Sequence, residues 1–459
     1  MLGENQSRTT PNPGATTGDH RNSSIEREAI VHPTQPFRRI DCAIVQQMLY
    51  GRTVWVEEGV LSEDLYYDPW DVDIDRDPYP VYRRLRDEAP LYYNDRHNFW
   101  GISRYADVDA ALKDTVKLSS AKGDILEVVM ADPAMPPGIF INEDPPLHTI
   151  HRAIVSRAFT PKKMRAIEDK IRAFCVACLD PLVGGDHFDF VEDLGAELPM
   201  RTIGMLAGIP DTEQPAVRAH ANQVLRNEPG KPMAIKKDRY FTGEMFGEYV
   251  EWRESNPSDD LITELLDVEF VDETGTHRKL TKQELIVFLA VVAGAGVETT
   301  GRLFGWMGKV LAEHPDQRKE LANDHSLIPA AIEELLRFEP PGPHVGRYVA
   351  TDDVSFQRQT IPAGSALLVM LASANRDERH FEDPDRFDIH RKPGGHLTFG
   401  RGAHFCVGAP LARLEGRVAL EEVLKRFPEW HIDLDNARRS RTSTVRGWDS
   451  MPARVICAP

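Results

Sequence analysis

The stretch Phe399-Gly400-Arg401-Gly402-Ala403-His404-Phe405-Cys406-Val407-Gly408 constrains this chain more than any other. It sets one cysteine in a glycine-lined loop directly before a helix-forming run, Ala409-Pro410-Leu411-Ala412-Arg413-Leu414-Glu415. Glycines at 400, 402 and 408 let the backbone turn sharply and approach a flat ligand closely. Pro410 suits the first helical turn, because its missing N–H has no intrahelical partner to lose there. Cys406 then lies near a helix N-terminus, where unpaired N–H groups and the helix dipole favour thiolate over thiol. A thiolate held this way is suited to bind heme iron and push electron density into it, which favours O–O bond cleavage.

The decapeptide resembles the heme-binding signature of the cytochrome P450 superfamily of heme-thiolate monooxygenases. Further motifs agree with it in order and spacing, so the resemblance covers residues 66 to 459. It implies a single, mainly α domain with a smaller β region, and heme b lying between a long central helix and the cysteine loop. Cys406 would ligate the iron, with Phe399 and Gly400 beside the cofactor.

Composition narrows the class. The formal balance over 459 residues is 55 − 72 = −17, which argues against broad nucleic-acid binding. The longest apolar run, Leu285 to Val297, has 13 residues, short of the roughly 20 that a membrane span needs. Residues 1 to 36 are rich in Ser, Thr, Asn, Pro and Gly and read as a mobile tail, and 37 to 65 as an extension of unassigned packing. The resemblance is to the bacterial type without a membrane anchor, and a cytoplasmic location is expected. The five cysteines, at 42, 175, 178, 406 and 457, are odd in number and scattered, as suits a reducing compartment. Cys175 and Cys178 spell a CxxC, but they fall on a helical pattern with no second ligand pair at zinc spacing. Asp71 to Tyr82 imitates a calcium loop and fails it, with Arg76 in place of the glycine and Tyr82 in place of the final glutamate.

A helix from about Thr281 to about Glu313 is predicted, opened by a capping box between Thr281 and Glu284. Its middle reads Ala293-Gly294-Ala295-Gly296-Val297-Glu298-Thr299-Thr300. An ionisable Glu298 next to an apolar run is costly unless paired or hydrated. By resemblance, Ala295 to Thr299 is the oxygen-activation motif, with Thr299 hydrogen-bonding dioxygen and Glu298 relaying protons. From the residues alone, Thr299 bonded back to a helix carbonyl and Glu298 paired with an arginine remain open. Glu334 and Arg337 share one helix face. They match the family's Glu-x-x-Arg element, and Arg386 its third member, a structural network behind the cysteine loop. His148, Arg152, Arg347 and His404 match the positions that hold the heme propionates.

The resemblance also implies partners. The chain has no strand–GxGxxG–helix unit for a dinucleotide, so electrons are expected from an iron–sulfur ferredoxin and its NAD(P)H-dependent ferredoxin reductase. Residues 151 to 172 hold seven Lys/Arg against two Asp/Glu, and 391 to 426 hold seven against three, a basic patch on an acidic protein. The substrate pocket is expected at Leu126 to Phe140, the loop 226 to 236, Val291, Val292, Ala295, His344, Val345 and Val445 to Trp448. These are mostly apolar, which suggests a terpenoid, steroid or fatty-acid-like substrate oxidised with dioxygen. Lysines 231, 236 and 237 are a weaker pointer to a carboxylate. Two other readings stay open: a peroxide-driven peroxygenase, and a heme-thiolate sensor or carrier without turnover.

Overall fold

The computed structural model describes residues 65–235, 243–392 and 394–456, together with the strand pair Met48–Leu49 and Arg52–Thr53. Contacts divide the chain into residues 1–57 and a large unit from 58 onward. The readings of residues 1 to 36, of Lys236 and Lys237, and of Cys42 and Cys457 fall outside the described residues.

One helix, Lys282–Glu313, organises the large unit. Thr281 caps it as expected: its hydroxyl accepts from the Glu284 N–H, and the Glu284 carboxylate accepts from the Thr281 N–H at 2.7 Å. This helix has the length and composition of a membrane span, yet 78% of its apolar window is buried within the protein. The 13-residue run therefore understates the helix, because glycine, threonine and tryptophan extend its buried face. The helix packs against Leu198–Ala207 and the wide turn Phe190–Gly195. Glycines make that closeness possible: a Cβ on Gly301 would lie 2.7 Å from the Gly195 carbonyl oxygen.

Beside this helical body stands a five-stranded sheet, in the order Leu91–Asn94, Phe99–Ile102, Ala366–Val369, Val345–Val349, Leu118–Ser119. The first two strands form the expected hairpin around residues 94 to 98, with Leu91 opposite Ile102. Phe99–Ile102 runs parallel to Ala366–Val369, and Leu367 of that strand faces Arg347 on the next. Asp71 caps a short helix, Val72–Arg76, accepting from the Asp73 and Ile74 N–H groups, so this acidic run is a helix start. Cys175 and Cys178 are unbridged on Pro161–Leu179.

The network behind the cysteine loop differs from expectation in one member. Arg337 donates to both oxygens of Glu334 at 2.8 Å, and to the carbonyls of Asn375, Pro384 and Arg386. The third member is Arg391, whose Nε donates to Glu334 at 3.1 Å. Arg386 points outward, its side chain 69% exposed and 3.6 Å from Asp388. The turn after Phe387 swings residue 391 back under the helix, while 386 contributes only its carbonyl.

Candidate heme site

The cysteine loop turns through positive φ at Gly400 and Gly402, both +67°. A Cβ at 402 would come within 2.9 Å of the Leu112 carbonyl oxygen, so that glycine lets the loop lie against Tyr105–Lys113. Gly408, at φ −80°, needs no such freedom. The Cys406 N–H donates to the Phe399 carbonyl at 2.8 Å, which closes the loop just before the helix Ala409–Arg426. The amides of Gly408 and Ala409 serve the Cys406 sulfur. Burial nevertheless pushes this thiol up, outweighing those amides and the nearby Arg152 and Arg413. The amides at the helix start act as expected, in favour of thiolate, while burial acts against it. A buried thiolate becomes favourable once a metal cation shares its charge.

Four basic side chains stand near the loop. His148 and His404 lie with ring centroids 4.0 Å apart. Neither ring nitrogen of His148, nor Nε2 of His404, has a hydrogen-bond partner. Arg347 is buried and donates only to its neighbouring Gly346 carbonyl, while Arg152 donates to the Phe405 carbonyl. Burial and mutual repulsion hold His148 down at about 4 and His404 at about 3. Asp144, held by the Ser120 N–H, and Asp124 bring the nearby negative charge. Two arginines with donors to spare, beside two neutral histidines with unpartnered ring nitrogens, fit a ligand that carries carboxylates, as heme does with its two propionates.

The middle of the central helix shows a break in burial. Ala295 is exposed and a Cβ on Gly294 would meet open space, although Val291, Val292, Val297 and Glu298 around them are buried. The Thr299 hydroxyl donates to the Ala295 carbonyl at 2.7 Å. Glu298 accepts from Arg302 at 3.3 Å, with its second oxygen unpartnered, and burial raises its pKa against the pull of that arginine. Both bland local arrangements left open by the residues are therefore present.

Other expected pocket residues are spread more widely. Val345 begins a strand and shares a face with Arg347, two residues on. His344 lines a small cavity with Tyr67, Trp70, Thr442 and Ser443. Trp448 packs on Trp306 at 5.9 Å and beside Gly305, further along the central helix than Thr299. Sequence reasoning missed Arg302 and Asp449; a glutamate and arginine four apart on one helix is the signal for the first of them.

A cysteine presented by backbone amides, beside a cationic pocket and a gap in a buried helix, defines a heme-thiolate protein. The family model for Cytochrome P450 matches residues 235–446. Cytochrome P450 123 of Mycobacterium tuberculosis is 38% identical over 410 residues, 85% of this chain and 97% of that protein. The vitamin D(3) 25-hydroxylase of Pseudonocardia autotrophica is 35% identical over 387 residues, covering 83% of this chain and 94% of the other. Among solved structures, a mutant of P450 EryK in complex with erythromycin B gives a TM-score of 0.75 at 32% identity, over 82% of this chain and 96% of that one. CYP109E1 from Bacillus megaterium in complex with testosterone gives 0.73 at 29% identity, over 83% and 98%. The chain belongs to the cytochrome P450 family: it is a monooxygenase whose cofactor is heme b.

Proposed function

We propose that this protein inserts one oxygen atom from dioxygen into an unactivated C–H bond of a lipophilic terpenoid, steroid or fatty-acid-like molecule, in the bacterial cytoplasm. The observation that carries the reading is the break in burial at Gly294, Ala295 and Thr299, flanked by the apolar Val291 and Val292. Relatives named for vitamin D(3) and solved with testosterone or erythromycin B agree with a bulky, largely apolar ligand.

Cys406 would bind the heme iron, and His148, Arg152, Arg347 and His404 would hold the propionates. Bound heme with a thiolate ligand supplies O–O cleavage and oxygen transfer. Thr299, its proton directed at the Ala295 carbonyl, keeps oxygen lone pairs free to accept a further hydrogen bond in the gap. Glu298, with its raised pKa, holds a proton more readily than an exposed glutamate and is the chain's local proton source.

Electrons come from a small acidic ferredoxin served by a flavin reductase. The docking face is narrower than the charge count implied. Arg417 is engaged by Glu168 at 2.7 Å and by Glu421 at 3.1 Å, and Arg172 by three glutamates. Arg157, Lys162, Arg165 and Lys170 are exposed and supply the steering charge.

The test is NADPH consumption with ferredoxin and reductase across a panel of lipophiles, scanned for the spectral change that follows displacement of the iron-bound water. Product formation supports the reading. Turnover with hydrogen peroxide alone, or ligand binding without turnover, overturns it in favour of a peroxygenase or a carrier.

A further inference from the structure

Glu127 sits in the short helix Leu126–Ala131, only 3% exposed. Its Oε1 accepts from three places remote in sequence: Trp70 Nε1 at 2.8 Å, the Met233 N–H at 3.0 Å and the Ser443 hydroxyl. One carboxylate oxygen thus gathers the 225–235 segment, the 440–446 turn and the chain near Trp70 around a single helix. Charge-assisted bonds of this kind are roughly twice as strong as neutral ones.

The helix that carries Glu127 is itself firmly seated. Its first turn lies on Gly346, where a Cβ would come within 3.1 Å of Ile125 backbone carbon, and the Gly346 N–H donates to the Asp124 carbonyl. By contrast, the 225–235 segment has little of its own to hold it. Met233 belongs to a small apolar cluster with Ile125 and Val128, apart from the main core. Its other ties run to the C-terminal hairpin: Arg226 to Asp449 at 3.0 Å and the Asn227 N–H to the Arg441 carbonyl at 3.1 Å.

We propose that Glu127 is a positioning residue that latches the wall of the substrate chamber, fixing the 225–235 segment against the 440–446 turn and setting the rate at which ligand enters. The inference rests on the reading above that these segments border the chamber. A carboxylate with three donors from three segments is a common anchor point. Losing it leaves an indole N–H, an amide and a hydroxyl unpaired together.

The test uses heme-loaded full-length protein. Hydrogen exchange is followed by mass spectrometry in wild type, Glu127→Ala, Glu127→Gln and Ser443→Ala. The binding rate of 4-phenylimidazole to the ferric protein, read from its absorption spectrum, probes ingress. The latch predicts exchange about tenfold or more faster across 225–235 and 440–446 in Glu127→Ala, with the central helix unchanged. It also predicts faster phenylimidazole binding, with Glu127→Gln between that variant and wild type, since its amide oxygen still accepts. Unchanged exchange in these segments overturns the proposal. So does exchange rising equally through the central helix, which would make Glu127 a general folding determinant, or local loosening with no change in binding rate. Failure of wild type to bind phenylimidazole would instead count against the heme-site reading, and the exchange comparison would still decide the latch.

Discussion

Arg302 reaches back one helical turn to Glu298 at 3.3 Å while its Nη1 holds Asp449 at 3.0 Å. Asp449 in turn meets Arg226, which is 47% exposed. A file of alternating charge therefore runs from the middle of the central helix to the surface. Glu298 and Arg302 are both nearly inaccessible, so neither can lose its partner cheaply. Replacing Arg302 by Gln is expected to destabilise the protein by about 3–5 kcal/mol, and Glu298→Gln in the same background to restore part of the loss. Urea midpoints of the two single variants and the double variant measure this.

Thr299→Ala removes the one hydroxyl in the helix gap. Electron consumption should persist while product falls about tenfold, with the difference released as peroxide. The ratio of NADPH oxidised to product formed checks it, and unchanged coupling would show that Thr299 only braces its own helix.

Arg347 helps to depress both His148 and His404. Arg347→Ala should let both histidines titrate closer to the ordinary histidine range and should weaken heme retention about tenfold or more. Heme transfer to apomyoglobin measures retention. Ferrous carbonyl spectra should keep their thiolate character, because Cys406 is untouched; Cys406→Ser is expected to abolish it.

Glu415 is buried on the helix Ala409–Arg426 with its Oε1 unpartnered, and burial pushes it up to about 8. A carboxyl raised in the folded state favours folding below its unfolded value, and that contribution fades as pH climbs towards the folded value. Wild-type stability should therefore fall between about pH 4.5 and pH 8 relative to Glu415→Gln, by roughly 2–5 kcal/mol. Denaturation midpoints of the two proteins across that interval give the answer.

Reversing Arg157, Lys162 and Lys170 to glutamate should slow ferredoxin-driven turnover about tenfold at low salt and leave lipophile binding intact. Arg417→Glu is the control. Its guanidinium is already engaged by Glu168 and Glu421, so the change should cost stability before it touches electron delivery.

Features set by neighbours in the chain were readable from the letters. The loop glycines, the proline after the cysteine, the capping box at Thr281 and the Glu334–Arg337 pair all act within a few residues. What escaped depends on distant approach. Arg391 rather than Arg386 joins Glu334 because a turn carries it back beneath the helix, a matter of chain path. Glu127 looks like an ordinary surface acid until residues 70, 233 and 443 converge on it. The desolvation of Cys406 was hidden for the same reason: the amides that favour its thiolate are local, but the burial that opposes them comes from the whole fold.

Arg337 spends its remaining donors on three main-chain carbonyls, at 375, 384 and 386, and on no side chain there. It reads the trace of that segment and is blind to the letters. Substitution of the exposed Arg386 should be tolerated, and Asn375 only where its side-chain bonds to Leu397 and Thr398 survive, whereas inserting or deleting one residue between 375 and 386 should cost the protein its heme loop. The length of this stretch is thus fixed by the reach of one guanidinium.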